Sequence, residues 1–136
     1  MSEPFKFGIL GCGRIVERGL AQGLADSPAA ELYALASQRR GVAAEWAAKY
    51  GAAKSYDSYE ALLADPDVQA VYIPCTGEEH HRWTLAAARA GKHVLCEKPL
   101  ARTVVEAEEM VAACADAGVL LQEAFMWRHQ PRMQRA

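Results

Sequence analysis

The sequence predicts an α/β fold, a doubly wound parallel sheet covered by helices on both faces in three layers. Short runs rich in β-branched and aromatic residues alternate with alanine-rich stretches of helical length, and glycines or polar residues separate the two. A chain of 136 residues that is 51% hydrophobic and 24% charged has the size and composition of one soluble domain. Together these observations favour a single βαβ-type domain.

Six short apolar segments are predicted to form the strands. Each is bounded by glycine, proline or polar residues, as strands of a buried sheet usually are. Helical stretches separate the strands, so neighbouring strands should run parallel. The third strand has the weakest pattern. The predicted strands cover residues 5–10, 32–36, 53–56, 70–74, 93–96 and 119–122.

Five helices are predicted between the strands, at residues 15–25, 42–50, 59–64, 81–90 and 104–117. Three of them are followed by a glycine that can take the left-handed conformation of a helix C-terminus, at positions 51, 91 and 118. Asp57 and Thr103 each precede a glutamate by three residues, which is typical of a capping box at a helix start.

Charge and cysteine content exclude several classes of function. Fifteen Lys and Arg against seventeen Asp and Glu create no overall field for nucleic acid or an anionic membrane. We find no apolar run of membrane-spanning length and no signal-peptide pattern. The four cysteines form no C-x-x-C pair, which favours reduced thiols and a cytoplasmic location. We therefore expect a small-molecule partner.

The segment GCGRIV, residues 11–16, follows the first strand and opens the first helix. In such a loop Gly11 permits the tight turn and Gly13 lets the backbone approach a pyrophosphate, while the helix start at Arg14 and Ile15 attracts its charge. Val16 replaces the usual small third residue, which predicts a wider spacing of helix and strand. This context favours a Rossmann-type nucleotide site over a plain tight turn.

The end of the second strand predicts which nucleotide binds. It reads Ser37-Gln38-Arg39-Arg40 and lacks the acid that would accept hydrogen bonds from the ribose 2′-hydroxyl of NAD. A serine and guanidinium groups can instead bind a 2′-phosphate through charge-assisted hydrogen bonds. We therefore expect NADP(H) rather than NAD(H). The alternative is that Arg39 and Arg40 are only the solvated start of a helix.

Three segments carry a family resemblance: GILGCGRI, VYIPCTGEEH and AGKHVLCEKPLA. They resemble the glucose-fructose oxidoreductase, inositol dehydrogenase and rhizopine-catabolism family of NAD(P)-dependent oxidoreductases. EAFMWRHQP, at 123–131, is most similar to the branch containing dihydrodiol and xylose dehydrogenases. The resemblance covers essentially the whole chain. It implies hydride transfer between nicotinamide and a sugar- or diol-like carbinol, in a homo-oligomer.

The motif Glu97-Lys98-Pro99 is the most specific element of the resemblance, which places Lys98 beside nicotinamide and substrate as the catalytic residue. Lys98 follows the fifth strand, and ligands of open α/β sheets bind at the carboxyl ends of strands. Glu97 either orients Lys98 in the cofactor site or is a surface charge. Without the resemblance, a surface ion pair at a strand exit explains the motif equally well.

After the fourth strand, Thr76-Gly77 replaces the family's proline-asparagine pair, and His80 keeps the family's histidine. The resemblance puts Thr76 and His80 near the cofactor. A histidine that merely starts a helix is an equal alternative for His80. Residues 78–81, Glu-Glu-His-His, are not expected to bind a metal, because adjacent residues on a helix point in different directions.

The resemblance divides the chain into a nucleotide-binding domain, residues 1–122, and the start of a crossing, 123–136, into an α/β substrate domain absent from this chain. That domain supplies the proton-transferring histidine in the family. We therefore expect a truncated chain that is not competent for turnover alone. The alternatives are a non-catalytic NADP(H)-binding module and a fragment without independent activity. The apolar surface at 125–136 should promote association.

Overall fold

The computed structural model describes residues 2–135 and contains one six-stranded sheet in which every described pair of strands is parallel. The predicted doubly wound α/β fold is confirmed, because the strands follow the order third, second, first, fourth, fifth, sixth across the sheet. In chain order the strands are β1 (Phe5–Leu10), β2 (Ala30–Ala36), β3 (Lys54–Tyr56), β4 (Ala70–Ile73), β5 (His93–Glu97) and β6 (Leu121–Ala124).

Helices cover both faces of the sheet. A π-helical segment (Val16–Leu20) follows β1 and runs into the first α-helix, and a 3₁₀ turn (Met126–His129) follows β6. None of the helices among residues 2–135 is long and apolar enough to cross a membrane. The helices are α1 (Ala21–Asp26), α2 (Val42–Tyr50), α3 (Tyr59–Leu63), α4 (Gly77–Arg89), α5 (Val104–Asp116) and α6 (Pro131–Gln134).

The core is divided by the sheet into two clusters, because successive side chains of a strand point to opposite faces. Ile9 and Tyr72 pack with the π-helical segment, α1 and α2 on one face. Leu10, Val71 and Ile73 pack with α3, α4 and α5 on the other. Both clusters contain fully buried residues, so β1 and β4 are covered on both sides.

Three elements begin two or more residues away from the predicted positions, and one of them is β2, which starts at Ala30 rather than residue 32. Helix α4 starts at Gly77 rather than residue 81, and its first turn carries Glu78 and Glu79, which favour a helix N-terminus. Strand β6 starts at Leu121 rather than residue 119. The preceding Gly118 has a φ of +68°, and the Val119 N–H closes the end of α5 by donating to the Cys114 carbonyl. Pairing with β5 therefore begins later.

The predicted helix caps are confirmed at α5 and corrected at α3. Thr103 Oγ1 accepts a hydrogen bond from the Glu106 N–H at 3.2 Å, which is one half of a capping box, while the Glu106 carboxylate accepts from the Arg102 N–H at 3.0 Å rather than from the Thr103 N–H. At α3 the capping residue is Ser58 rather than Asp57, since Ser58 Oγ accepts from the Ala61 N–H at 3.1 Å. The Asp57 carboxylate is used elsewhere. The glycines at 51, 91 and 118 all have positive φ, as predicted.

Candidate functional site

The glycine loop after β1 has an open backbone. Gly11 has a φ of +132°, and its N–H donates to the Ala36 carbonyl at 2.9 Å, which joins the loop to the end of β2. A Cβ added at Gly13 would meet nothing within 4 Å, whereas one at Gly11 would approach the Tyr59 hydroxyl at 3.3 Å. The space over Gly13 is therefore free for a ligand to approach the main chain.

Arg14 and Ile15 form the helical turn that leads from Gly13 into the π-helical segment. Arg14 and Ile15 are exposed, and Val16 is fully buried in the cluster that contains Ile9. The Val16 N–H donates to the Gly13 carbonyl at 3.0 Å, so the loop runs directly into the helix. The wider helix–strand spacing expected from Val16 stays a prediction.

The turn after β2 lies against the glycine loop. Ser37 is buried, and its hydroxyl accepts a hydrogen bond from the Arg39 N–H at 3.1 Å. The Arg39 guanidinium reaches across and donates to the Cys12 carbonyl at 3.0 Å. The turn therefore presents a buried hydroxyl and the Arg39 guanidinium beside the loop, with Arg40 exposed at its tip.

Asp57, at the end of β3, is part of this turn, which the sequence did not reveal. Its carboxylate accepts a hydrogen bond from the Gly41 N–H at 3.1 Å. Asp57 was predicted to cap a helix because it stands three residues before a glutamate. The pairing of β2 with β3 brings its carboxylate to the turn instead.

A cleft of about 270 Å³ separates the glycine loop from the loop after β4. Thr76 is exposed at its rim, and Cys75 contributes a half-buried thiol that donates to the Leu10 carbonyl at 3.1 Å. The lining includes the exposed Gly13 and, from the first turn of α4, Glu79. In full, the cleft is lined by Gly11, Cys12, Gly13, Tyr59, Pro74, Cys75, Thr76 and Glu79.

The cysteines near the cleft are held as neutral thiols. Burial raises the pKa of Cys12 to about 11, although the Arg39 charge partly offsets this. Burial likewise raises the pKa of Cys75 to about 11. At neutral pH both groups are therefore protonated and weak nucleophiles. All four cysteines are free, as predicted from the absence of paired spacing.

His80 does not point into this cleft. Its ring is 1% exposed, with Nδ1 2.8 Å from the Pro99 carbonyl oxygen and Nε2 2.9 Å from the Cys75 carbonyl oxygen. His81, its neighbour, faces α5 and lies 2.6 Å from a carboxylate oxygen of Glu109. Among residues 2–135, no group of three or more potential ligands converges on a metal position. A direct contact between His80 and a cofactor stays a prediction.

The Lys98 turn follows β5 directly. Glu97 is the last residue of the strand, and the Lys98–Pro99 peptide bond is cis. The Glu97 carboxylate accepts hydrogen bonds from the Tyr72 hydroxyl at 2.7 Å and from the Lys98 N–H at 3.0 Å. Burial, followed by the bond to Glu97, raises the pKa of Tyr72. Glu97 is thus tied to the main chain of the turn, and the Lys98 side chain is exposed.

A second, apolar groove of about 380 Å³ lies beside the Lys98 turn and was missed by sequence reasoning. It runs between the π-helical segment and β5, β6 and the 3₁₀ turn. Its residues come from segments far apart in the chain, so no local motif marks it. They include Ile15, Gly19, Gly23, Tyr72, Leu95, Glu97, Gln122, Phe125, Met126 and His129.

Comparison with known proteins places this geometry in a family. Residues 5–125 match the profile of an oxidoreductase family with an NAD-binding Rossmann fold. A D-xylose 1-dehydrogenase (NADP(+)) from Haloferax volcanii is 44% identical over 130 residues, covering 96% of this chain and 40% of the relative. A trans-1,2-dihydrobenzene-1,2-diol dehydrogenase from Mus musculus is 36% identical, covering 95% of this chain and 39% of the relative.

A solved structure shows the same fold. KijD10, a 3-ketoreductase from Actinomadura kijaniata solved in complex with NADP and TDP-benzene, superimposes with a TM-score of 0.93 at 38% identity. The match covers 97% of this chain and 40% of KijD10. The chain therefore spans about 40% of the length of the relatives it matches.

Proposed function

The chain belongs to the glucose-fructose oxidoreductase, inositol dehydrogenase and rhizopine-catabolism family of oxidoreductases, and from this premise we propose that it is the NADP(H)-binding part of a sugar or diol oxidoreductase. Hydride passes between a carbinol carbon of the substrate and nicotinamide. The proposal rests on one observation. Three segments follow strands at the carboxyl edge of one sheet, where α/β enzymes bind ligands: the glycine loop after β1, the turn of residues 37–40 after β2, called the Ser37 turn, and the Lys98 turn after β5.

The loop after β1 fits a dinucleotide because of its backbone. The left-handed φ of Gly11 and the open space over Gly13 allow a pyrophosphate to approach the N–H groups at the helix start. The cleft beside the loop has room for further contacts with the cofactor. The residues proposed to border the cofactor are Gly11, Gly13, Arg14, Ile15, Ser37, Arg39, Arg40, Thr76, His80, Glu97 and Lys98.

The preference for NADP(H) is supported by the turn after β2. The Arg39 guanidinium contacts the glycine loop, and the buried Ser37 hydroxyl lies in the same turn. Residues 37–40 contain no carboxylate that would repel a 2′-phosphate, and the Asp57 carboxylate, which reaches the turn from β3, is bound by the Gly41 N–H. The names of two relatives agree with this, since one is an NADP(+)-linked dehydrogenase and the other was solved with NADP. Arg39 and Arg40 are the groups we propose to neutralise the phosphate.

Lys98 is proposed to act on the substrate hydroxyl. The nicotinamide supplies the hydride-accepting or hydride-donating carbon. The Lys98 ammonium, exposed at the carboxyl edge, can donate a hydrogen bond to the substrate oxygen and stabilise negative charge there as hydride leaves. Glu97 holds the Lys98 N–H and so fixes the main chain from which the ammonium extends.

Titration of the chain with NADPH and with NADH, followed by calorimetry, tests the cofactor assignment. We expect NADPH to bind at least tenfold more tightly, because the 2′-phosphate adds charge-assisted hydrogen bonds. The same difference should separate 2′,5′-ADP from 5′-AMP, which lack nicotinamide. Equal or reversed affinities would reject the NADP(H) preference, and binding of neither dinucleotide would reject the function.

The division of the whole protein is also a proposal. Residues 1–122 are the nucleotide-binding part, and 123–136 lead towards a substrate domain of the kind that the family carries. We propose a cytoplasmic homo-oligomer. Incubating the chain with NADP⁺ and a panel of aldoses and diols tests competence. NADPH binding without turnover is the expected result, whereas turnover would show that the nucleotide-binding part suffices.

A further inference from the structure

His80 connects the two loops that flank the proposed cofactor site. Its buried ring lies between the Cys75 carbonyl, in the loop after β4, and the Pro99 carbonyl, in the Lys98 turn. Carbonyl oxygens only accept hydrogen bonds, so a neutral imidazole donates to one of them and an imidazolium to both. In either form, the ring is committed to the main chain of the site.

The Lys98 turn is held at three further points. The Leu100 N–H donates to Glu123 Oε1 of β6 at 2.9 Å. On the other side of Lys98, its own N–H donates to Glu97, and Glu97 is fixed by the Tyr72 hydroxyl. Side chains from β4, α4 and β6 therefore hold the turn on both sides of Lys98.

Such support matters because, among the residues that the structure describes, only the backbone N–H of Lys98 forms a hydrogen bond, whereas its side chain forms none. Its side chain is exposed and carries four rotatable carbon bonds, so the region that the ammonium can reach is set by the main chain of the turn. A small displacement of that main chain would move the ammonium away from the nicotinamide end of the site.

We propose that His80 is a positioning residue for Lys98, acting through the Pro99 carbonyl, with Glu123 as its partner on the Leu100 N–H. This inference rests on the proposed function, since it assumes that Lys98 works beside nicotinamide. In this role His80 acts through the Pro99 carbonyl, and the role requires no contact of its ring with the substrate or the cofactor. His80 fixes the distance between the loop that lines the cleft and the turn that carries the ammonium.

The test compares the affinities of the chain for two ligands that have the adenosine half of the cofactor in common. NADPH and 2′,5′-ADP both carry the adenosine 2′-phosphate, but only NADPH carries nicotinamide. We expect His80→Ala to lower the affinity for NADPH by roughly tenfold, which corresponds to the loss of one buried hydrogen bond. Binding of 2′,5′-ADP should stay within about twofold, because the glycine loop and the Ser37 turn do not contact His80. His80→Gln should recover part of the loss, because the glutamine amide N–H can donate to a carbonyl in place of the ring N–H.

Four further variants separate positioning from general damage. His81→Ala removes the neighbouring histidine, whose partner is Glu109 on the surface, and should change neither affinity. Glu123→Ala should repeat the selective loss from the other side of the turn and keeps the inference testable if His80→Ala does not fold. Lys98→Ala should show the same loss, and the double variant His80→Ala/Lys98→Ala should be no weaker than Lys98→Ala alone.

Each outcome decides between the two proposals. If the unaltered chain binds neither ligand, the proposed function fails and this inference fails with it. If the unaltered chain binds both, but His80→Ala weakens both equally or neither, the proposed function stands and the positioning role is overturned. Additive losses in the double variant would also overturn it, because His80 would then act independently of Lys98.

Discussion

Arg39 links the end of β2 to the glycine loop, and two functions of this residue can be distinguished. Its guanidinium donates to the Cys12 carbonyl at 3.0 Å, so it stabilises the loop whether or not a nucleotide is bound. It also places a positive charge beside the position proposed for a 2′-phosphate. A purely structural role would affect every dinucleotide alike, whereas a phosphate-binding role would affect only NADP(H).

We expect Arg39→Ala to lower the affinity for NADPH by about tenfold or more, because one charge-assisted contact with the 2′-phosphate is lost. The affinity for NADH should change by less than about threefold. Calorimetric titration of both ligands measures the difference. Arg89→Ala is the matched control, since Arg89 is the last residue of α4 and lies in none of the loops of the proposed site. An equal loss for both dinucleotides would assign Arg39 to loop support alone.

Asp65 is a buried carboxylate that is not among the proposed site residues, and it contributes to stability. Burial alone would raise its pKa, but hydrogen bonds from the Tyr56 hydroxyl at 2.7 Å and the Asp67 N–H at 2.9 Å, together with the Lys54 ammonium at 3.0 Å, hold the pKa below its usual value of 3.8. A carboxylate with a lowered pKa in the folded state stabilises the protein above pH 3.8. That stabilisation is lost as the pH falls through the folded-state pKa.

Asp65→Asn should therefore destabilise the chain at pH 7 by about 1–3 kcal/mol, since the hydrogen bonds to charge are weakened. The loss of stability below about pH 4 should be shallower than in the unaltered chain, because the group that titrates is gone. Urea unfolding at pH 7, 5 and 3 measures both effects. Asp116→Asn, at the exposed end of α5, is the control. Parallel pH curves for the Asp65 variant and the unaltered chain would contradict the prediction.

At the scale of elements, β1 approaches α3 closely at Gly8, and the close approach depends on a residue without a side chain. A Cβ at Gly8 would lie 2.7 Å from Leu62 Cδ2 and 3.1 Å from Val68 Cγ1, both in buried side chains. The register of β1 against β2 also shifts between Phe7 and Gly8, as at a bulge. Gly23 in α1 is different, because an added Cβ there meets nothing within 4 Å.

Two alanine substitutions should therefore have opposite effects. Gly8→Ala is expected to destabilise the chain by about 1–3 kcal/mol, because Leu62 and Val68 must move in a packed core. Gly23→Ala should stabilise it by about 0.5–1 kcal/mol, since alanine favours the helical conformation. Urea midpoints for both variants measure the difference. A Gly8→Ala variant as stable as the unaltered chain would show that α3 moves without cost.

Element boundaries were predicted well where a local signal exists and poorly where tertiary pairing decides. The glycines after α2, α4 and α5 are strong local signals, and all three helices end where predicted to within one residue. The start of β6 depends on the end of α5, whose last carbonyls take the N–H of Val119 before pairing with β5 can begin. The first turn of α4 was missed because Gly77 at its start reads as a loop residue.

For the whole molecule, the sequence predicted the loops of the site better than their supports. Gly13, Ser37 and Lys98 each follow a recognisable strand, and parallel strands bring their carboxyl ends to one edge. The contacts of Asp57 with Gly41 and of His80 with Pro99 join residues 16 and 19 positions apart, between different loops. Nothing local in the sequence indicates such pairs, so only the assembled sheet reveals them.

The same limit applies to the apolar groove between the π-helical segment and β6. Met126 lines this groove and is 72% exposed. Trp127 follows it in the 3₁₀ turn and is 46% exposed, and Met133 in α6 is 39% exposed. Exposed apolar residues beside an open groove favour contact between copies of the chain, because association removes that surface from water. We therefore expect concentration-dependent association of this 136-residue chain.

Light scattering over a range of concentrations tests this expectation, and a pair of lysine substitutions identifies the surface. Met126→Lys should shift association to at least about fivefold higher concentration, because burying a charge beside the groove is unfavourable. Val105→Lys adds the same charge at a 62%-exposed position on α5, outside the groove, and should leave association unchanged. A monomer at all concentrations would contradict the expectation, and an equal effect of both lysines would mean that net charge, rather than the groove, controls association.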